Sequence, residues 1–221
     1  MKSEVFNIDC LVGMKEFTDK YFDLAVVDPV FGDQVKQGGY MENSSSKLAK
    51  NILYNNALWK QEKTDSLYFS ELKRISKNQI IWGGNYFTEE IRKNSSCWIV
   101  WDKDNGDNDF ADCELAWTSF DTATRKFKFK WKGMLQQDMK NKEIKIHPTQ
   151  KPVALYDWIY KNYLPSGGKV IDTHLGSGSN RISADKAGNI DFTAYELDKD
   201  YFDAQEKRFK QYKSQTRLEL V

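Results

Sequence analysis

Val170-Ile171-Asp172-Thr173-His174-Leu175-Gly176-Ser177-Gly178-Ser179-Asn180 reads as a buried strand that runs into a glycine loop and then a helix. Val170 and Ile171 form the short apolar run, and Asp172 stands at its carboxyl end. Gly176 and Gly178 let the backbone turn and approach a ligand that a Cβ would exclude. Eighteen residues after Gly178, a second strand-like run over 192–195 ends in Glu196, an acid placed to accept hydrogen bonds from ribose hydroxyls. The loop reads G-x-G-x-x-R, with Arg181 where dinucleotide enzymes carry the glycine that permits close helix packing. Taken alone, it is equally an ordinary strand-to-helix turn. Its position says more: about forty residues follow Gly178, too few to complete a doubly wound sheet, so the other strands lie upstream.

Working outward, 221 residues suffice for one α/β domain with a substantial core. An apolar fraction of 40% with 29% charged residues is a globular profile and excludes a disordered one. The net charge of +1 makes no case for or against a polyanionic partner, so the distribution of charge has to decide. Residues 121–147 hold eight basic residues against three acids, which suits either phosphate contacts or a solvated face. Cys10, Cys97 and Cys113 lack C-x-x-C spacing and have only His147 and His174 to join them, so neither a metal site nor a disulfide framework is expected. The amino-terminal MKSEVFNIDC has no apolar signal core, and no run approaches the length of a membrane span. A cytoplasmic protein with no membrane partner is expected.

Strands are expected over 5–8, 24–27, 79–82, 97–101, 115–120, 126–131, 170–172 and 192–195. Helices are expected over 11–17, 67–75, 153–163, 179–187 and 199–212. The alternation of Phe127, Phe129 and Trp131 with lysines suggests an antiparallel strand with one wet face. Interleaved strands and helices give an α/β class, and neither repeat nor linker divides the chain. Residues 32–56, rich in Gly, Ser and Asn, read as a long loop of the sort that carries function.

The run over 24–27 delivers Asp28-Pro29-Val30-Phe31 to a strand's carboxyl end, where open α/β sheets bind ligands. Proline fixes φ and stiffens the turn. A carboxylate beside the Pro29 carbonyl makes an acceptor pair suited to an exocyclic NH₂, and an aromatic ring two positions on can stack on the base that bears it. An isolated Asp-Pro turn would be a common structural feature. Here it is accompanied by His147-Pro148-Thr149-Gln150-Lys151-Pro152, just before the helix that leads to the glycine strand.

With these three segments the chain resembles the amino-methylating DNA methyltransferases, in which a D-P-P-[YF] tetrapeptide holds the target base, an H-P-T-Q-K-P-like segment follows, and a glycine loop binds S-adenosyl-L-methionine. Their order matches the circularly permuted, beta-type branch, whose cofactor loop lies near the carboxyl terminus. The resemblance implies a Rossmann-like methyltransferase fold with a mixed, mostly parallel sheet, in a single domain over 1–221 with small DNA-recognition segments at 33–56 and 121–147. It implies Asp28, Pro29 and Phe31 as the target-base site, with Asp9 and Cys10 near the cofactor adenine and Thr149 and Lys151 near its methionine portion. Asp172, Gly176, Gly178 and Ser179 would run along the methionine and ribose, and Glu196 would take the ribose hydroxyls. DNA is the implied partner and S-adenosyl-L-methionine the implied cofactor. No metal is implied, and a homodimer is left open.

Adenine N6 is the favoured target because the tetrapeptide begins with Asp, whereas the family's cytosine-N4 enzymes more often begin with Ser. A catalytically silent DNA-binding protein of the same fold, or transfer to cytosine N4, RNA or a protein amide, are the alternatives. Two departures stand out: Val30 replaces the second proline, and Thr173-His174 stands where the family usually shows Pro-Phe. Val30 restores a backbone N–H and some φ freedom to the turn. His174 suits either a ring near the cofactor or a hydrogen-bonded structural role.

Overall fold

Side chains of successive residues in a strand point to opposite faces, so a run that is apolar throughout needs cover on both sides. The computed structural model describes residues 2–32, 63–91, 93–106, 111–132 and 135–218, and in it both faces of the central strands are covered. Strand β2 (Phe22–Val27) sends Leu24 and Val26 into one core and Phe22, Ala25 and Val27 into the other. β3 (Ser76–Trp82) divides Ile80 and Trp82 from Ile81 in the same way, and β9 (Gly168–Asp172) divides Val170 from Ile171. Helices α4 (Val153–Tyr163) and α5 (Ser179–Ala187) cover the first face; α1 (Cys10–Met14), α2 (Ser66–Ile75) and α3 (Thr88–Ile91) cover the second.

The remaining elements are β1 (Ser3–Phe6), β4 (Trp98–Asp102), β5 (Cys113–Thr118), β6 (Arg125–Lys128), the short pair β7 (Trp131–Lys132) and β8 (Leu135–Gln136), β10 (Ile190–Tyr195), and α6 (Lys199–Leu218). The main sheet has the order β1-β10-β9-β2-β3-β5-β4-β6. β1, β10, β9, β2 and β3 run parallel, and β5 runs antiparallel to both β3 and β4. The expected mixed, mostly parallel sheet is therefore the one observed, and its eight strands overlap the eight expected runs, with β1 and β5 each lying two residues earlier than the expected 5–8 and 115–120.

One orientation differs. The segment expected to be an antiparallel strand over 126–131 ends at Lys128 as β6, which pairs parallel to β4 at the sheet's edge, and Trp131 belongs to the separate β7–β8 ribbon. Alternation reports a strand with one wet face, and an edge strand has such a face in either orientation.

Local chemistry sets the helix boundaries. Asp65 caps α2, accepting from the Tyr68 backbone N–H at 3.0 Å, and Tyr68, Phe69, Leu72 and Ile75 form its buried stripe. α5 begins after Gly178 and ends at Gly188, both with positive φ. Arg181, in place of the packing glycine, is buried. It bonds Ser3, Gln205 and Glu206 and lies 3.9 Å from the Phe209 ring centroid, tying α5 to β1 and α6. Among the described residues no helix is long and apolar enough to cross a membrane.

The chain leaves β9 through α5 to β10 on one side, and leaves β2 through α2 to β3 on the other. The crevice between β9 and β2 is thus the switch point of the sheet, where open α/β folds bind their ligands.

Candidate active site

Three adjacent parallel strands end at a carboxylate or one residue before it, and beside them β1 ends at Phe6, three residues before Asp9 at the start of α1. Following the sheet order, β1 leads to Asp9, β10 to Glu196, β9 to Asp172 and β2 to Asp28. Strands pair about 4.8 Å apart, so the acids form a row along one rim, with the Asp172–Asp28 gap at the switch point. Sequence reasoning named all four, and the sheet brings them together.

Asp9 caps α1, its Oδ1 accepting from the Leu11 N–H at 2.7 Å. Cys10 follows it, half-buried, its thiol pushed up to about 12 by burial and the neighbouring Asp9 charge, so it remains protonated. Glu196 accepts the Gly176 N–H at 2.8 Å and the Asp198 N–H at 2.9 Å. Burial raises its pKa although these bonds oppose the shift. It therefore anchors the glycine loop to the end of β10, and further donors would use its remaining lone pairs.

Asp172 is buried between donors: Asn180 Nδ2 reaches Oδ2 at 2.8 Å and the His174 N–H reaches Oδ1 at 3.1 Å. Burial outweighs these bonds, and the charges of Asp28 and Glu196 add to it, lifting the pKa from 3.8 to about 7. Asn180 also reaches the Val26 carbonyl at 3.3 Å and accepts from the Tyr160 hydroxyl, so it bridges β9 and β2 beneath the crevice. Nothing in the sequence singled it out beyond its place in the quoted stretch. Thr173 Oγ1 contacts Tyr68 Oη at 2.5 Å and His174 Nδ1 at 2.9 Å. Burial depresses His174 to about 4, so it is a neutral, hydrogen-bonded histidine.

The glycines have separate reasons. Gly176 adopts φ +53°, and a Cβ there would come within 3.4 Å of the His147 ring, which packs edge-on against Tyr201 with centroids 4.3 Å apart. The H-P-T-Q-K-P segment thus lies directly against the glycine loop. Its Thr149 hydroxyl is 3.2 Å from His147 Nδ1, and burial with the Lys151 charge depresses that imidazole to about 3. Gly178 has φ +74° at the start of α5. Ser177 and Ser179 hydroxyls lie 3.1 Å apart, and Arg208 donates to the Ser177 carbonyl at 2.8 Å and to Ser179 Oγ at 2.9 Å.

On the β2 side, the Val30 carbonyl accepts from the Thr64 N–H at 3.0 Å and from its hydroxyl at 2.9 Å, which fixes the turn after Pro29. Phe31 stacks on Tyr86, centroids 4.8 Å apart, so one of its faces is taken. Tyr86, on the turn after β3, was not singled out in the sequence and widens the aromatic wall. Lys151, its side chain only 4% exposed, pairs with Asp28 Oδ2 and lies 3.2 Å from Glu114 Oε2; Lys103 holds the other Glu114 oxygen at 2.6 Å. Burial works against the Lys151 charge, yet the two carboxylates outweigh it and hold its pKa above the ordinary value. A cofactor contact by Lys151 would be made in addition to these pairs. Among the described residues no cluster of His, Cys, Asp and Glu could hold a metal ion.

The segments that hold Lys151, Asp172, the glycine loop and Glu196 fall inside a family match, and Asp9 and the Asp-Pro turn precede it. The family of DNA methylases acting at N6 and N4 amino groups matches residues 35–207, more than half of the chain. The chain belongs to that family. As a DNA methylase it also shares its fold with solved structures at low identity. M1.HpyAVI in complex with S-adenosyl-L-methionine is 18% identical with a TM-score of 0.56, covering 93% of this chain and 98% of that one. TTHA0409 of Thermus thermophilus, a putative DNA modification methylase also complexed with S-adenosyl-L-methionine, is 12% identical with a TM-score of 0.58, covering 95% and 94%. The cytosine-N4-specific PvuII DNA methyltransferase is 13% identical with a TM-score of 0.59, covering 95% and 86%. No curated protein sequence matches the chain.

Of the two expected recognition segments in this DNA methylase, 33–56 lies outside the described residues. The other, 121–147, carries β6 along its exposed edge. There Lys128 and Lys130 pair with Asp104 at 2.9 and 3.3 Å, and Lys126 faces Asp102 at 3.6 Å. The local basic excess is therefore partly offset by acids from earlier in the chain, Asp102 and Asp104. Such exposed pairs are worth about 0–1 kcal/mol each, so phosphates could displace them at little cost.

Proposed function

We propose that this DNA methylase transfers the methyl group of S-adenosyl-L-methionine to an exocyclic amino group of a base flipped out of DNA, with adenine N6 the preferred target. The observation that carries the reading is the row Glu196, Asp172 and Asp28 at adjacent strand ends, continued by Asp9 at the start of α1 after β1. Dinucleotide sites offer backbone donors to a pyrophosphate, whereas a rim of acids repels phosphate. The same acids suit a nucleoside without phosphate that carries hydroxyls, an amino group and cationic centres, as S-adenosyl-L-methionine does. Two proteins of similar fold bind that cofactor. When bound, it supplies an electrophilic methyl on a sulfonium.

The chain's own residues divide the remaining work. Asp28 and the Pro29 carbonyl accept the amino hydrogens, aim the nitrogen lone pair and offset the positive charge that develops on it. Phe31, backed by Tyr86, offers a ring face to the base; stacking of this kind is worth about 1–3 kcal/mol per base and offsets part of the cost of flipping. Asp9 and Cys10 would hold the adenine end of the cofactor, Glu196 the ribose hydroxyls, Thr149 and Lys151 the methionine portion, and Asp172, Gly176, Gly178 and Ser179 the methionine and ribose. The raised thiol of Cys10 supplies no nucleophile, in keeping with direct transfer. Adenine is preferred because the tetrapeptide begins with Asp28; a relative of the same fold is cytosine-N4-specific, so the base is decided by identifying the product. The single domain would recognise DNA through 33–56 and 121–147.

Glu196→Ala is expected to weaken S-adenosyl-L-methionine binding by about 1.5–3 kcal/mol, the range for a hydrogen bond to a charged group. Calorimetric titration of a folded variant measures this, and unchanged affinity would remove Glu196 from the site. DNA binding should fall steeply with salt. Replacing Lys126, Lys128 and Lys130 together by Gln should lower the slope of log affinity against log salt by up to about 3. A slope equal to that of the unsubstituted protein would assign those lysines to a solvated face.

A further inference from the structure

Lys151 closes off one oxygen of Asp28, the group that has to accept a base's amino hydrogens. A buried cation fixed to a catalytic carboxylate by a single ion pair would compete with the substrate, because releasing it would leave a charge unpaired in a site of low dielectric. Here it is not fixed by a single pair. The side chains alternate in sign as Asp28, Lys151, Glu114 and Lys103, and each ammonium also lies over an indole, Lys151 5.4 Å from the Trp82 ring centroid and Lys103 5.3 Å from that of Trp101.

We propose that Glu114 is a positioning residue for methyl transfer: it offers Lys151 a second carboxylate, so that Asp28 can exchange the ammonium for the amino group of the target base. The inference rests on the methyltransferase reading above. Glu114 is placed for this by β5, the one strand of the main sheet that runs against both its neighbours, which brings Glu114 opposite Trp101 of β4. Lys103, 2.6 Å away on the far side, keeps Glu114 charged as Lys151 moves. Burial disfavours that charge, but Lys151 and Lys103 together hold the Glu114 pKa below the ordinary value. Asp28 lies above its ordinary value because burial, with the Glu114 charge adding to it, outweighs Lys151.

The groups that act on Asp28 come from every side. They are Lys151 before α4, Glu114 on β5, Lys103 after β4, Asp172 at the end of β9, and the hydroxyls of Tyr68 on α2 and Tyr156 on α4. Both tyrosines stay neutral, pushed well above the usual range by burial. Of the carboxylates, Glu114 is the one that also pairs with Lys151. Its neutralisation removes an influence that raises Asp28 and leaves Lys151 with Asp28 alone. The Asp28 pKa then falls while its availability to substrate falls too.

The test compares the unsubstituted protein with Glu114→Gln and Glu114→Asp in labelled-methyl transfer to duplex DNA from pH 5 to 9, alongside the Asp28 carboxyl titration followed by carbon-13 NMR in the free protein. In Glu114→Gln, kcat should drop by about tenfold or more, cofactor affinity should stay unchanged, and the acid limb of the rate profile should move to lower pH together with the Asp28 titration. Glu114→Asp should keep the acid limb in place and recover part of kcat. An unmoved acid limb and an unmoved carboxyl titration in Glu114→Gln would overturn the inference, even if the variant is less stable. Should the unsubstituted protein transfer nothing while the carboxyl titration still moves, the functional reading fails and the coupling of Glu114 to Asp28 stands.

Discussion

Asp28→Ala is expected to lower methyl transfer by about 10²–10³-fold or more, the cost of removing a preorganised group that meets charge developing in the transition state. Cofactor affinity should change little, since Asp28 lies across the switch point from the glycine loop and in the proposed function addresses the base. The fold should survive as well. Removing one partner of a buried ion pair often costs about 3–5 kcal/mol because the other charge is stranded. Lys151 retains Glu114 at 3.2 Å and is not stranded. Asp28→Asn should be nearly as poor as Ala, as the amide keeps the shape but loses the charge. Single-turnover transfer together with calorimetric cofactor binding separates these effects; equal loss of both would move Asp28 into the cofactor site.

The second large effect belongs to Asp172. Its carboxyl is buried with a pKa near 7, so in the free protein it is about half protonated at neutral pH. A cationic ammonium beside it would favour the ionised form. Affinity for S-adenosyl-L-methionine should therefore rise by about 10- to 30-fold between pH 5.5 and 7.5, as the carboxyl gives up its proton on binding.

Stability should move the other way. The folded-state pKa lies above the ordinary 3.8, so the folded protein holds the proton more tightly than the unfolded chain. The contribution of this group to stability is thus largest below about pH 4, declines as pH rises toward 7 and then levels, a change on the order of 4 kcal/mol. Asp172→Asn should lose both pH dependences, bind cofactor at least about tenfold more weakly, and melt no lower than the unsubstituted protein at pH 8. Titrations at several pH values, paired with thermal melts, check this. A variant that binds normally would place Asp172 outside the cofactor site.

Much of this site was legible because its residues lie at the carboxyl ends of apolar runs, where both the strand and the following turn leave local signals. Asp28 comes with a proline, Asp172 with two glycines, and Glu196 ends a run at a telling distance from them. The α4 and α5 boundaries were legible for a similar reason, with Pro152 before one helix and Gly178 and Gly188 flanking the other. Glu114 and Lys103 had no such signal. A single acid in a strand that reads CELAWT is indistinguishable from a solvent-facing residue until the sheet order sets it beside Lys151. The pairing of the β6 lysines was hidden in the same way, because Asp102 and Asp104, which partly offset them, lie more than twenty residues earlier in the chain. The orientation of β6 was equally hidden, since it follows from a crossover that alternation does not encode.

Val30 bears on whether the acceptor pair works in this chain. Its carbonyl is held by Thr64, so the turn is fixed without the second proline, and Val30→Pro should leave transfer equal or higher. The most direct measurement is transfer of a labelled methyl group from S-adenosyl-L-methionine to mixed-sequence duplex DNA by the purified protein, followed by hydrolysis and chromatography of the bases. The account predicts label on an exocyclic amino group, as N6-methyladenine, and its loss in Asp28→Ala. A protein that binds both cofactor and DNA yet labels no base, while Val30→Pro labels one, would contradict it and leave a silent DNA-binding protein of the same fold.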